Sequence, residues 1–347
     1  MASVTTTDLD FLAANIHGRR GRMAEGDRLD AVARLRTVPD LVRVLLPRET
    51  AIASSADLQR RLVRDLAAEL GHLASYLGGP AGALLEWLRT RFEVENLKVL
   101  ARGFAGGLAP DAVRPHLIAL PDTPAPDPGP FVRADGFETF VALVPEGPLR
   151  DGAARSADLY ASHPRSFALE AGLDRGYLAE LLDRAGRVPD RAHVQAVVRQ
   201  EVQTFQMMLV ARGRFTWGLE ADDLAPFGLV RGPFERMLSA RDLAEVARAA
   251  VGQAIDRLSK DWIPSGPAGG EEKVDAPALE ALAWDRYRRL ANWTFRRSHM
   301  GLGAVVAYTA LRRVELANLI RVSEGIRLGV GTDAIRRLLI PQPGAAA

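Results

Sequence analysis

Self-similarity at a fixed spacing constrains this chain more than any single motif. Glu-Val-Glu-Asn-Leu from Glu93 returns as Glu-Leu-Ala-Asn-Leu from Glu315, and the register holds downstream. Asn96 meets Asn318, Gly103 meets Gly325, Gly107 meets Gly329, Asp111 meets Asp333 and Arg114 meets Arg336, all 222 residues apart. A third copy lies midway. Ala101-Arg102-Gly103 recurs as Ala211-Arg212-Gly213 at a spacing of 110, and after one inserted residue Gly107, Asp111 and Pro115 meet Gly218, Asp222 and Pro226 at 111. Upstream, Leu169-Glu170 and Asp174-Arg175 match Leu279-Glu280 and Asp285-Arg286. Three copies of about 111 residues cover nearly all of the 347-residue chain, which divides at 1–118, 119–229 and 230–347. The period is far longer than the 33–47 residues of a helical solenoid repeat.

Each copy reads as helical. Apolar residues recur at three- and four-residue spacing, as in Leu58, Leu62, Leu66, Leu70 and Leu73, or Leu243, Val246, Ala250, Ala254 and Leu258. Alternating β-branched runs are scarce and aromatics make up 6%, so the expected class is all-α, with Phe137–Val144 read as helix. Leu120–Pro130, with five prolines, reads as a linker between units, and Ile263–Pro277 as an exposed Gly/Pro-rich insertion within the last unit.

The repeated residues suggest structural work. Gly103, Gly213 and Gly325 follow long helix-permissive runs and are expected to stop them in a left-handed cap. Asp111, Asp222 and Asp333 then suit the next helix N-terminus, accepting backbone N–H bonds and complementing the dipole. Arg89, Glu93 and Asn96 form a polar stripe on one helix face, repeated as Arg312, Glu315 and Asn318. The middle copy has Arg199, Gln203 and Gln206, which keeps the amide and loses the carboxylate. A catalytic dyad needs only one good copy, so recurrence in all three points to support of neighbouring helix ends.

Searches for chemistry return little. The absence of cysteine excludes disulfides, thiolate metal sites and Cys nucleophiles. The six histidines show no paired ligand spacing, Gly301-Leu302-Gly303 lacks a dinucleotide fingerprint, and the glycines after Ser265 lack a Gly-Lys-Ser/Thr ending. No metal, cofactor or catalytic residue is assigned. A net charge of +2 argues against nonspecific nucleic-acid binding. The arginine clusters Arg19–Arg20–Arg22, Arg286–Arg288–Arg289 and Arg296–Arg297 read as solvated faces and ion pairs. Trp217, Trp262 and Trp293 read as packing residues. No run approaches the 18 apolar residues of a membrane span, Gly301–Leu311 being the longest, and the start has no secretion pattern, so a cytoplasmic setting is expected.

A long helix reading Glu-x-x-Asn-Leu-x-x-(hydrophobic)-x-x-Gly, repeated at about 110 residues, resembles the C subunit of bacterial and archaeal V/A-type ATPases, a relative of the eukaryotic d subunit. Leu84-Leu85-Glu86 through Gly103 carries the first signature, Tyr308 through Gly325 the last, and Leu169-Glu170 with Asp174-Arg175 the paired helix of the middle unit. Asn15–Leu46 is similar to that family's start. The resemblance implies three similar helical units in a pseudo-threefold, funnel-like arrangement. It implies a non-catalytic rotor part that binds the central-axle subunits and the membrane proteolipid ring and transmits torque for ATP-coupled ion transport. Such a protein sits peripherally on the cytoplasmic face, held by protein contacts and not by insertion. The residues alone leave open a helical-repeat scaffold for another protein or RNA and, less readily, a helical enzyme using scattered carboxylates.

Overall fold

The computed structural model describes residues 6–49, 51–251 and 275–341. Regular structure among them is helical, and the one β-type contact is an isolated bridge between Leu120 and Thr123. The chain opens with α1 (Thr6–Arg20), α2 (Asp27–Ala33) and α3 (Val38–Leu45). Next come α4 (Ser55–Ser75), α5 (Gly79–Arg89), α6 (Arg91–Ala105) and the short α7 (Pro110–Val113). Four short helices follow, α8 (Pro128–Val132), α9 (Phe137–Leu143), α10 (Pro148–Ala154) and α11 (Ala157–Ser162). They lead to the long α12 (Ser166–Ala185) and α13 (Arg191–Phe215) and the short α14 (Ala221–Leu224). The last group is α15 (Arg231–Leu238), α16 (Leu243–Val251), α17 (Ala276–Ser298), α18 (Leu302–Arg327) and α19 (Thr332–Arg337). Phe137–Val144 is helical through Leu143, as expected. Residues 263–274 of the expected insertion, and Trp262, lie outside the described residues.

Local sequence explains the long helices. Ser54 caps α4 by accepting a bond from Asp57 N at 3.1 Å, and Asp275 caps α17 from Ala278 N at 2.8 Å, with Pro277 in the first turn where no N–H is needed. Leu58, Leu66, Leu70 and Leu73 bury one face of α4. Helix α18 differs, because every residue from Leu302 to Leu311 is buried. A helix apolar all round needs neighbours on all sides. It packs on α17, α13, α4 and α1, so the longest apolar run of the chain becomes its central pillar.

The long helices pair as α4 on α5, α12 on α13 and α17 on α18. Between pairs, α6 packs on α12, α13 on α17, and α18 back on α4. The circuit of contacts thus closes, joining both ends of the chain. Ala24, Leu29, Leu41 and Leu58 share one buried cluster with Leu319, Val322 and Ile335. Burying each large apolar side chain of this kind stabilises by about 1.5–3 kcal/mol.

One contact was not visible in the sequence patterns. Helix α10 lies directly on α12 through Gly152, Gly172 and Gly176. A Cβ on Gly176 would come within 2.1 Å of Pro148 O, and one on Gly152 within 2.3 Å of Gly172 O. Only glycine lets these backbones approach so closely.

Candidate functional site

The repeated amides make the same bond pair three times. Asn96 Nδ2 donates to Ile118 O at 2.8 Å while its Oδ1 accepts from Ile118 N at 2.9 Å. Asn318 does the same to Ile340, at 2.8 and 3.0 Å. In the middle copy Gln206 Nε2 donates to Val230 O and its Oε1 accepts from Val230 N, both at 3.2 Å. Each amide clamps the segment after the next short helix onto its own long helix. The clamped residue lies 22 positions on for the asparagines and 24 for the longer glutamine.

The repeated glycines act by size, inside the helices. A Cβ on Gly103 would lie 2.6 Å from Val113, on Gly213 2.7 Å from Leu224, and on Gly325 2.6 Å from Ile335. Val113 of α7, Leu224 of α14 and Ile335 of α19 therefore seat against bare backbone. This corrects the expectation that these glycines end their helices, which run on to Ala105, Phe215 and Arg327. The left-handed residues are Gly107, Gly218 and Gly329, with φ of 60°, 68° and 67°. Leu108 N and Val330 N then bond back to Gly103 O and Gly325 O at 2.9 and 2.8 Å, closing Schellman turns.

The aspartates and carboxylates need correction too. Asp111, Asp222 and Asp333 do occupy the first turns of α7, α14 and α19, but none makes a capping bond to the backbone. In the middle copy Glu220 and Asp223 form the capping box instead. Glu93 and Glu315 share a register but not a role. Burial raises the pKa of Glu93, which makes no ion pair among the described residues, although Arg89 pulls it the other way. Glu315 accepts from Ala24 N at 2.6 Å and pairs with Arg312. Gln203 borders a small crevice beside Ala250. Trp217 and Trp293 are about half exposed and are not core packing.

Three further positions meet in space. Arg91, Glu201 and Arg313 stand in the same register, separated by the 110 and 222 spacings of the repeat. Arg313 Nη1 bonds Glu201 Oε2 at 2.8 Å and donates to the Tyr287 hydroxyl at 3.2 Å. Arg91 reaches Asp174 at 2.9 Å and Glu95 at 2.7 Å, and Lys98 bridges the same two acids. Burial opposes ionisation at Glu201, yet Arg313 and Arg91 hold its pKa below the usual range. Against the same opposition, Arg91 and Lys98 push Glu95 down to about 2. Burial pushes the Tyr177 and Tyr287 hydroxyls up. Glu201 Oε1 is buried without a hydrogen-bond partner.

Apart from Tyr177, these groups floor a cavity of about 340 Å³. Two related ion pairs stand on its wall, Arg102 with Glu170 and Arg212 with Glu280, each 68 residues apart and offset by 110. Phe167, Phe205, Met208 and Trp284 supply apolar surface between them. Apart from that one oxygen, the acids and bases here satisfy one another, an arrangement suited to holding shape and receiving a polar and apolar partner surface. Among the described residues no three His, Asp or Glu side chains gather as a metal-ligand set. None of the helices described is long and apolar enough to cross a membrane.

The curated C subunit of the V-type ATP synthase of Deinococcus radiodurans is 23% identical over 357 residues, covering 95% of this chain and 90% of that protein. The C subunit of the A-type ATP synthase of Methanobrevibacter smithii is 23% identical over 344 residues, covering 94% and 87%. Residues 12–338 match the ATP synthase (C/AC39) subunit family, and with nearly the full length accounted for, the chain belongs to that family.

Proposed function

We propose that this chain is the non-catalytic coupling piece of a V/A-type rotary ATPase or ATP synthase. In this reading three helical units, 1–118, 119–229 and 230–347, stand around a pseudo-threefold axis as a funnel. The proteolipid ring lies against one side on the cytoplasmic face of the membrane, and the central axle enters the cavity floored by Arg91, Glu201 and Arg313. Torque then passes between ring and axle during ATP-coupled ion transport.

The observation that supports this best is the closed circuit of helix contacts, α6 on α12, α13 on α17 and α18 on α4, with the same amide clamp in each unit. A part that carries torque must resist twisting, and a closed ring of buried contacts has no free end at which to yield. The family membership supports the rotary complex as its setting.

The test is reconstitution of the rotary complex with and without this chain. Without it, ATP hydrolysis in the soluble head should persist while ATP-driven ion pumping is lost, and adding the purified chain should restore pumping. Full pumping in its absence would overturn the proposal.

A further inference from the structure

Arginines from three helices that lie far apart in sequence, α1, α17 and α19, come together away from the central cavity. The C-terminal end of α1, the second half of α17 and the segment around α19 enclose a cavity of about 880 Å³. Arg20, Arg288, Arg289, Arg296, Arg297 and Arg336 line it. The nearby acids are largely engaged. Asp285 is shared by Arg288 and Arg289, Glu25 pairs with Arg20, Asp30 with Arg34 and Arg336, and Glu315 with Arg312. Asp27 makes no ion pair among the described residues but is exposed at the rim. Arg296 and Arg297 are exposed and make no ion pair among the described residues. Arg20 Nη1 is buried without an acceptor. Burial, joined by the nearby charges of Arg296 and Arg288, lowers the Arg20 pKa despite Glu25.

Clustered guanidiniums with spare donors are relieved by an anion offering several acceptor oxygens. We propose that this cavity binds a phosphate-bearing anion, held by Arg20 at its base and by Arg296 and Arg297 at its mouth. Its size admits more than a single phosphate group. Trp293, 53% exposed on the rim, lies where a bound ligand changes its surroundings. The site is independent of the rotary role.

The purified full chain is titrated with sodium pyrophosphate by calorimetry and by tryptophan fluorescence, with Trp293→Phe identifying the reporting ring. In parallel it is sedimented with phosphatidylglycerol vesicles and with phosphatidylcholine vesicles. Binding of pyrophosphate at submillimolar concentration assigns a free anion. Binding to phosphatidylglycerol vesicles alone assigns a lipid headgroup. In either case Arg296→Ala with Arg297→Ala should weaken binding at least tenfold, with an unchanged melting temperature because both side chains are exposed and make no ion pair among the described residues. Arg231→Ala with Arg236→Ala removes the same charge elsewhere and should change binding less than twofold. No binding to either probe, or equal loss in both double variants, would overturn the site.

Discussion

The seam between α18 and α4 and the two seams facing the central cavity are built from the same kinds of residue for different ends. At the α18–α4 seam Glu69 collects Arg312 at 2.9 Å, Arg19 at 3.1 Å and the Tyr308 hydroxyl at 2.6 Å, and Ser55 bonds Ser323 at 2.6 Å. Glu69 is only 10% exposed, and these partners, Arg312 foremost, lower its pKa even though burial works the other way. At the cavity seams Arg102 and Arg212 are more than half exposed, and their acids Glu170 and Glu280, 22% and 43% exposed, line that cavity. The first seam holds the two ends of the chain together. The other two leave a mouth.

The largest expected effect follows at the closed seam. Glu69→Ala leaves the buried Tyr308 hydroxyl without its acceptor and removes the contacts of the half-buried Arg312 and Arg19, and should cost about 3 kcal/mol of stability, seen as a lower urea midpoint and melting temperature. The clamps come next. Asn318→Leu leaves the buried N–H and C=O of Ile340 without partners and should cost about 2–3 kcal/mol. Asn96→Leu should cost slightly less because Ile118 is partly exposed. Gln206→Leu should cost least, about 1 kcal/mol, because its bonds are the longest of the three. Equal losses in all three would show that bond length at the clamp does not govern its strength.

Acid should act differently on the two regions. Glu95 in the cavity floor has its folded pKa depressed from 4.5 to about 2, so its stabilising share is fully present above pH 4.5. That share is lost as pH falls from about 4.5 towards 2. Urea midpoints of the unmodified chain and Glu95→Gln should therefore converge across that interval, and a constant difference would refute the assignment. The smallest stability effect belongs to the open seams. Glu280→Ala removes an exposed pair and should cost no more than about 0.5 kcal/mol, while weakening capture of the rotary complex by a tagged chain. An effect on melting temperature as large as that of Glu69→Ala would erase the distinction between the seams.

Much of the fold was legible because helical periodicity and the repeat spacing survive substitution. The asparagines stood out because only four occur in the chain and two share a register. Their partners did not, since Ile118 and Ile340 are held by backbone atoms that leave no side-chain signature. The glycine ends were misplaced because propensity favours a stop at Gly103, whereas the approach of Val113 demands a bare helix there. Arg91, Glu201 and Arg313 escaped notice for an electrostatic reason. Three equivalent positions meeting at one point cannot all carry the same charge without repulsion, so identity between copies had to break where they converge. Carrying the 110 and 222 spacings upstream to residue 91 was the signal that would have found them. The arginine clusters read separately as solvent-facing because nothing local says that α1 and α17 lie side by side.

The chain contains no cysteine, which permits a clean probe of the central cavity. Met208 borders both that cavity and its adjoining mouth, so Met208→Cys places a single thiol there. Maleimide labelling is then compared between the free chain and the assembled rotary complex. The thiol should react readily in the free chain, be protected at least tenfold in the complex, and cross-link to the axle through a short bifunctional reagent. Equal labelling in both states, with no cross-link to the axle, would contradict the assignment of this cavity as the socket through which torque passes.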